Sequence, residues 1–336
     1  MKTFFSGKVL IGIASVVAVV LIAVFVRVLL HFRYVETPLA VSGDYILMVE
    51  QGSNLTRVLE RLEVEGIIPS ALDLRLYARF NQPGIRLQAG EYKLDSSLVG
   101  RTLLQKLARG DVVYHRLSLI EGWTIEQALS AIQQHEAVRA VLRDVEDLRE
   151  RLALESSPEG LFFPDTYSFV RGTTDLELLS QAHQLMNREL EQAWAERDSG
   201  LPYATPYEML IMASIIEKET GLASERQQIA GVFVRRLRQG MRLQTDPTVI
   251  YGLGKEFDGN LTRTHLQTDT PWNTYTREGL PPTPIALPGR AALLASAHPD
   301  DSNALYFVSK GDGSHHFSAT LQEHNEAVRR YQQGGR

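Results

Sequence analysis

Two glutamates at the end of an apolar, helix-forming stretch are the side chains of this sequence best placed for acid–base chemistry. The stretch reads Met209-Leu210-Ile211-Met212-Ala213-Ser214-Ile215-Ile216-Glu217-Lys218-Glu219-Thr220. A helix that is apolar nearly all round is a buried one, and this one ends in charge. Glu217 and Glu219 are two positions apart, so they point about 200° apart around the axis and cannot flank one scissile bond together. Glu219 follows Ile216, Ile215 and Met212 by three, four and seven positions, which puts it on the same apolar face. Desolvation on such a face raises a carboxyl pKa, and the negative end of the helix dipole pushes the same way. A carboxylic acid that keeps its proton near neutral pH suits protonation of a glycosidic leaving oxygen. Glu217 shares its face with Ala213 and Ser214 and is expected to pair with Lys218 or a nearby arginine. The competing reading of the pattern is two ordinary charges at a frayed helix end.

The flanking sequence supplies the elements that must hold Glu219. Thr205 is a good N-cap, Pro206 suits the first helical position, and Glu208 completes a capping box. Gly221 is expected to provide a left-handed stop. Ser224 with Gln227 predicts the start of a following helix, with Ile229, Val232, Phe233 and Leu237 as its buried stripe and Gly240 at its end. Arg235, Arg236 and Arg238 are expected on its solvated side. Two runs then combine hydroxyl, amide and aromatic groups: Met241 to Gly254, and Pro271-Trp272-Asn273-Thr274-Tyr275-Thr276. That mixture suits a groove for a sugar polymer, with rings stacking on pyranose faces and amides bonding hydroxyls.

Upstream, Asp44 to about Val113 reads as small alternating units after a connector around Thr37 to Gly43. Tyr45–Val49 predicts a strand. Gly52-Ser53 opens a helix carrying Leu55, Val58, Leu59 and Leu62. Ala89–Leu94 predicts a second strand, and Leu103, Leu104 and Leu107 a helix that stops at Gly110. The spacing Val49, Gly52, Leu55, Leu59, Leu62 returns at Leu119, Gly122, Ile125, Leu129 and Ile132. It fits either a repeated strand–turn–helix unit or two amphipathic helices with similar starts. Glu159–Tyr167 reads as a packed, aromatic loop, and Thr174 with Glu177 as the capping box of a long helix carrying Leu178, Ala182, Leu185 and Met186. Beyond about Gln244 the pattern is irregular, with a strand-like Leu305–Val308 and a proline-punctuated loop from Leu280 to Gly289. The fold class expected is α+β rather than a regular βα alternation.

The chain has 336 residues, 44% hydrophobic and 22% charged, with a net charge of −5, so no basic excess points to nucleic acid. It contains no cysteine, which excludes disulfides, thiol catalysis and cysteine-ligated metal. His315-His316 and His324 fit no ligand spacing, so neither a metal nor another cofactor is expected. From Val9 to Val26 no residue is charged, and 18 residues of helix reach about 27 Å, close to the hydrocarbon thickness. Val28, Leu29, Leu30 and Phe32 extend the run, with Arg27 able to snorkel. A retained anchor is favoured over a cleaved signal peptide, because no small-residue cleavage site follows. Lysines and arginines flank the run on both sides, so local charge leaves its orientation open.

With these residues in view, the sequence resembles the YceG-like family of endolytic murein transglycosylases. The resemblance covers roughly Asp44 to the C-terminus and is strongest from Glu159 to Val308. It rests on the Glu159–Tyr167 loop, Ser214-Ile215-Ile216-Glu217-Lys218-Glu219-Thr220, Arg242 to Gly254, Asn273-Thr274-Tyr275 and Pro281-Pro282-Thr283-Pro284-Ile285. The family's catalytic glutamate is the second of its Glu-Lys-Glu-Thr motif, which implies Glu219. The resemblance further implies a cytoplasmic tail over residues 1–8, a transmembrane helix over 9–30, a LysM-like subdomain over 44–113 and a catalytic domain over 114–334. The implied reaction is cleavage between N-acetylmuramic acid and N-acetylglucosamine in nascent peptidoglycan, closing a 1,6-anhydro ring and ending strand growth. Gln244, Thr245, Asp246, Tyr251, Asn273, Tyr275 and Glu217 would contact the sugars. The enzyme would be a single-pass protein of the bacterial inner membrane with its catalytic part periplasmic, working beside peptidoglycan synthases. Two rivals remain: a hydrolytic muramidase using a second carboxylate such as Asp246, and a glycan-binding scaffold without catalysis.

Overall fold

The computed structural model describes residues 7–333; residues 1–6 of the expected tail and residue 334 of the expected catalytic domain lie outside the described residues. The uncharged N-terminal run continues as one helix, α1 (Gly7–Val35). Its stretch Ile11–Val35 is long and apolar enough to cross a membrane. The described chain then divides into two compact units, one running to His115 and including Val170–Gly172, the other Arg116–Phe169 with the described residues from Thr173 onwards. The architecture is mixed α+β, with three two-stranded sheets among many helices.

In the first unit, β1 (Tyr45–Val49) pairs antiparallel with β2 (Gly90–Leu94), Leu47 opposite Tyr92. Between the strands lie α2 (Leu55–Val64) and α3 (Ala71–Asn81), and after them α4 (Gly100–Arg109). Asn54 and Ser70 cap α2 and α3 by accepting hydrogen bonds from the backbone of Arg57 and Asp73. Gly110, at φ +69°, closes α4 in the left-handed conformation. Leu47, Leu59, Leu62, Leu74, Tyr92, Leu103 and Leu107 fill the core. The expected connector is part of this unit: Val35 and Leu39 are buried in the core, and the Leu39 and Ala40 amides donate to Leu98 and Ile67 carbonyls at 2.8 and 3.0 Å. α3 has no clear signature in the periodicity of the sequence, because its apolar residues lie on two faces, Leu74 and Ala78 inwards and Leu72, Leu76 and Phe80 outwards.

β3 (Tyr114–Ser118) pairs with β4 (Thr166–Val170). The second unit continues with α5 (Ile125–Gln133), α6 (Val145–Arg151), α7 (Asp175–Glu196), α8 (Pro206–Glu219), α9 (Arg226–Arg238) and α10 (Asp246–Leu253). After a 3-10 turn at Gly254–Glu256 come α11 (Arg263–Gln267) and α12 (Arg290–Ala297). An antiparallel hairpin of β5 (Tyr306–Ser309) and β6 (His315–Ser318) precedes α13 (Leu321–Val328) and a π turn at Arg329–Gln333. The Thr174–Glu177 capping box is present on α7. The spacing echo corresponds to two strand–turn–helix passages, β1–α2 and β3–α5, with Gly52 and Gly122 at φ +80° and +79° in the turns.

α8 is the core of this unit: every residue from Met209 to Ile216 is buried. α7, α9, α10 and α12 pack against it. The one polar side chain in that run, Ser214, accepts the Ile285 amide at 3.0 Å and donates to the Ile211 carbonyl at 2.7 Å, so it ties the proline-rich loop to the helix. The Glu159–Tyr167 loop is buried through Pro164. Gly160 sits there at φ +78°, with the Pro284 ring where a side chain would begin. We expect Gly160→Ala to lower unfolding free energy by on the order of 2–5 kcal/mol, from left-handed strain plus overpacking, read as a fall in the denaturant midpoint.

Candidate active site

α8 begins at Thr205, whose hydroxyl accepts the Glu208 amide at 3.2 Å. The Glu208 carboxylate accepts from the Ala204 amide at 2.6 Å. The helix ends at Thr220, which turns out into extended backbone at φ −148° and ψ 135°. Gly221 is therefore not a left-handed stop, because the chain leaves the helix one residue earlier without reversing. The last helical residue, Glu219, is half-buried, and its carboxylate accepts a hydrogen bond from the Thr245 hydroxyl. Burial pushes the Glu219 carboxyl up to about 7. The Thr245 hydrogen bond and the charge of His315 oppose that shift, and the charge of Asp246 reinforces it.

Glu217 faces elsewhere, as the helical spacing requires. Its carboxylate accepts the Gly289 amide at 2.9 Å, and burial raises its pKa. The expected pairing with Lys218 or an arginine is replaced by this backbone bond, while Lys218 donates to the Gly122 carbonyl at 3.2 Å. Glu217 thus holds the start of α12, and it does not line the cleft that Glu219 opens on.

The loop that carries Thr245 is fixed from below by a side chain assigned from its pattern to the solvated face. Arg236 is only 7% exposed. Its guanidinium donates to the carbonyls of Leu305, Arg242 and Leu243 at 2.7, 3.1 and 2.9 Å, and to Gln244 Oε1 at 3.3 Å. Arg235 likewise serves the Ala304 and Asp300 carbonyls rather than solvent. Ser224 does not cap α9, whose N-cap is Glu225. The 244–245 turn is also held by Thr274. The Gln244 amide donates to the Thr274 carbonyl at 3.2 Å, the Thr245 amide to Thr274 Oγ1 at 3.1 Å, and Gln244 takes φ +52°.

The other predicted contacts divide. Tyr275 donates its hydroxyl to Asp246 Oδ1 at 2.5 Å, and burial, with Asp246 next, pushes the Tyr275 phenol above its ordinary range. Gln244, Asp246 and Tyr275 line, with Glu219, a cleft of about 590 Å³. Asn273 does not join them. It is fully buried, and its side-chain NH₂ lies 2.7 Å from the Thr268 carbonyl and 3.2 Å from those of His265 and Leu266. Its oxygen accepts the Tyr275 amide at 2.9 Å, so the whole amide is used in shaping the loop. Tyr251 lies in a second cavity of about 640 Å³ with Trp272 and Glu159. There Glu159 accepts the Ile125 amide at 3.1 Å and the Tyr251 hydroxyl at 3.3 Å. Burial pushes Glu159 up to about 7 against those two hydrogen bonds.

Sequence reasoning missed His315 and Tyr306, which also line the Glu219 cleft. His315 is held by buried Glu225, whose carboxylate meets Nδ1 at 2.7 Å and accepts the His315 amide at 2.9 Å. The partners are 90 positions apart, and no local pattern links them. Among the described residues, no group of three His, Cys, Asp or Glu could hold a metal ion.

α8 thus delivers one protonatable carboxyl, that of Glu219, to a polar cleft. The YceG-like family matches residues 47–330, and the chain belongs to it. The endolytic murein transglycosylase of Bacillus subtilis (strain 168) is 32% identical over 304 residues, covering 84% of this chain and 83% of that protein. The endolytic murein transglycosylase of Streptococcus pneumoniae (strain D39) is 28% identical over 325 residues, and the match covers 85% of this chain but 58% of that longer protein. Among solved structures, a YceG-like protein of Listeria monocytogenes superposes with a TM-score of 0.52 at 27% identity, covering 85% of this chain and all of that one. 

If Asn273 shapes the loop rather than binding sugar, Asn273→Ala should cost about 2–3 kcal/mol of stability by leaving buried carbonyls unpaired. The folded protein should keep its affinity for glycan. Denaturation midpoints beside a glycan-binding isotherm would check both halves.

Proposed function

We propose that this chain is a peptidoglycan lytic transglycosylase in which Glu219 is the single acid and base. The observation that carries the reading is a half-buried carboxyl raised to about 7 at the mouth of a polar cleft. Glu219 protonates the oxygen linking N-acetylmuramic acid to N-acetylglucosamine, and the C1–O4 bond breaks. The resulting carboxylate takes the proton of the muramyl C6 hydroxyl as that oxygen closes on C1, giving a 1,6-anhydro end and restoring the acid. No water enters and no second carboxylate is required, unlike hydrolysis with an acid and a nucleophile or base. Gln244, Asp246 and Tyr275 position the sugars, and the Thr245 hydrogen bond orients the carboxyl.

α1 serves as a single-pass anchor of the inner membrane, and the chain that follows it lies outside the cytoplasm, where its substrate is. Residues 44–113 form a LysM-like subdomain. Acting on nascent strands beside peptidoglycan synthases, the enzyme terminates glycan elongation. The family match and the transglycosylases named above support this reading.

Glu219→Gln keeps the shape and removes the proton, so cleavage of purified glycan strands should fall by about 10²–10⁴-fold. Mass spectrometry of the ends decides the chemistry: 1,6-anhydromuramyl ends from the wild type support the proposal. Reducing ends would make the enzyme a hydrolase and point to Asp246. Undiminished cleavage in the variant would remove Glu219 from the role.

The pH profile follows from the raised carboxyl. The active form is protonated, so kcat/KM should fall as pH rises through about 7. Asp246→Asn removes a negative neighbour and should move that limb to lower pH. Thr245→Val removes a hydrogen bond to the charged form and should move it to higher pH. Shifts in the same direction would show that another group controls the limb.

A further inference from the structure

α3 carries an apolar stripe that its own unit leaves largely exposed. Leu72, Leu76 and Phe80 follow one another at helical spacing and are 50%, 37% and 79% exposed. The opposite side of the helix, through Ala71, Leu74 and Ala78, is packed in the core. The stripe lies next to α1. Arg27 of α1 donates to Asp73 Oδ1 at 2.7 Å, and His31 Nδ1 meets the same oxygen at 2.9 Å. Asp73 is 2% exposed, so this is a fixed junction rather than a loose surface pair. Below it, Val35 is buried in the core, and its carbonyl and Leu74 leave no room for a side chain at Gly100.

The level at which the helices meet gives the stripe its meaning. Arg27 is the first charge after the uncharged run from Val9 to Val26, which places it at the headgroup boundary of a bilayer spanned by that run. An apolar cavity of about 300 Å³ is lined by Arg27, Val28 and His31 of α1 and by Asp73, Leu76 and Phe80 of α3. The two helices therefore meet at that level, Arg27 to His31 of α1 against Asp73 to Phe80 of α3. On α1, Val28, Leu29 and Phe32 are exposed beside the junction, and the apolar surface of the span continues onto α3.

We propose that α3 is a membrane-surface helix: Leu72, Leu76 and Phe80 enter the headgroup–acyl boundary of the lipid bilayer, and the Arg27–Asp73–His31 junction fixes α3 at that depth. This inference rests on the reading of α1 as a membrane anchor. It commits the first unit to one face towards the lipid instead of leaving it free on a tether. Apolar side chains on a helix enter the interface in proportion to the apolar area they bury there, and here the opposite face of the helix is closed by the unit's own core.

The cysteine-free chain allows single labelling sites. The full-length protein would be reconstituted in phosphatidylcholine–phosphatidylglycerol vesicles with an environment-sensitive fluorophore on Val19→Cys, Phe80→Cys or Arg57→Cys. Quenching would be read with lipids spin-labelled near the headgroup or at mid-chain. The label at 19 should lose most of its emission to mid-chain quenchers, the label at 80 most of its emission to shallow quenchers with a blue shift, and the label at 57 little to either. Quenching at 19 with 80 behaving like 57 would overturn the docking of α3 and leave the anchor standing. No quenching at 19 would remove the anchor, and this inference with it.

Discussion

The hydrogen bond between Thr245 and Glu219 joins two parts of the second unit that have nothing else in common in sequence. One is a helix that is buried from Met209 to Ile216 and surfaces only at its last residues. The other is a turn with no regular structure, made rigid by Arg236 from one side and Thr274 from the other. A carboxyl at the end of a buried helix has little freedom, because the backbone that carries it cannot move without opening the core. The turn brings the complementary hydroxyl to it. Asp246 and Tyr275, joined to each other, and His315, held by Glu225, complete the cleft around that pair.

Desolvation raises two carboxyls in this unit to about 7, Glu219 and Glu159, and their surroundings separate them. Glu159 is 2% exposed and spends its oxygens on the Ile125 amide and the Tyr251 hydroxyl, which suits a post holding the first turn of α5. Glu219 is half-buried and opens on a cleft shared with Asp246, His315 and Tyr275. The charges of Asp246 and His315 act on it in opposite directions. Tyr275 occupies one oxygen of Asp246, and Glu225 occupies Nδ1 of His315. A shifted pKa alone would not tell the two glutamates apart; access and neighbours do.

The first unit rests on a comparable junction. Burial alone would push the Asp73 carboxyl up, yet hydrogen bonds from Arg27, Ser70 and His31 outweigh it and hold it below the usual range. A group depressed in this way contributes its stability above its unfolded pKa and loses it as pH falls through the folded value. The Asp73 carboxyl that joins α1 to α3 is thus ionised at neutral pH. With Val35 and Leu39 in the core, the end of α1 is built into the unit rather than hung from it.

What the sequence alone determined follows from local periodicity and local capping. Hydrophobic spacing placed β1, β2, α2, α4, α7 and α8, and the 100° step per residue separated Glu217 from Glu219 and put the latter on the apolar face. Those features depend on neighbours within a turn or two of chain. The tertiary structure decided the partners. Arg236, read as solvated from its helical pattern, is buried because the Arg242, Leu243 and Leu305 carbonyls converge on it. Asn273, polar and beside an aromatic pair, turned inwards because three loop carbonyls needed a donor. Tyr251 and Asp246 sit on one short helix, α10, yet line different cavities. His315 reaches the cleft from a hairpin, guided by a glutamate 90 residues earlier. A sequence records which groups must be satisfied; only the fold determines which distant atoms satisfy them.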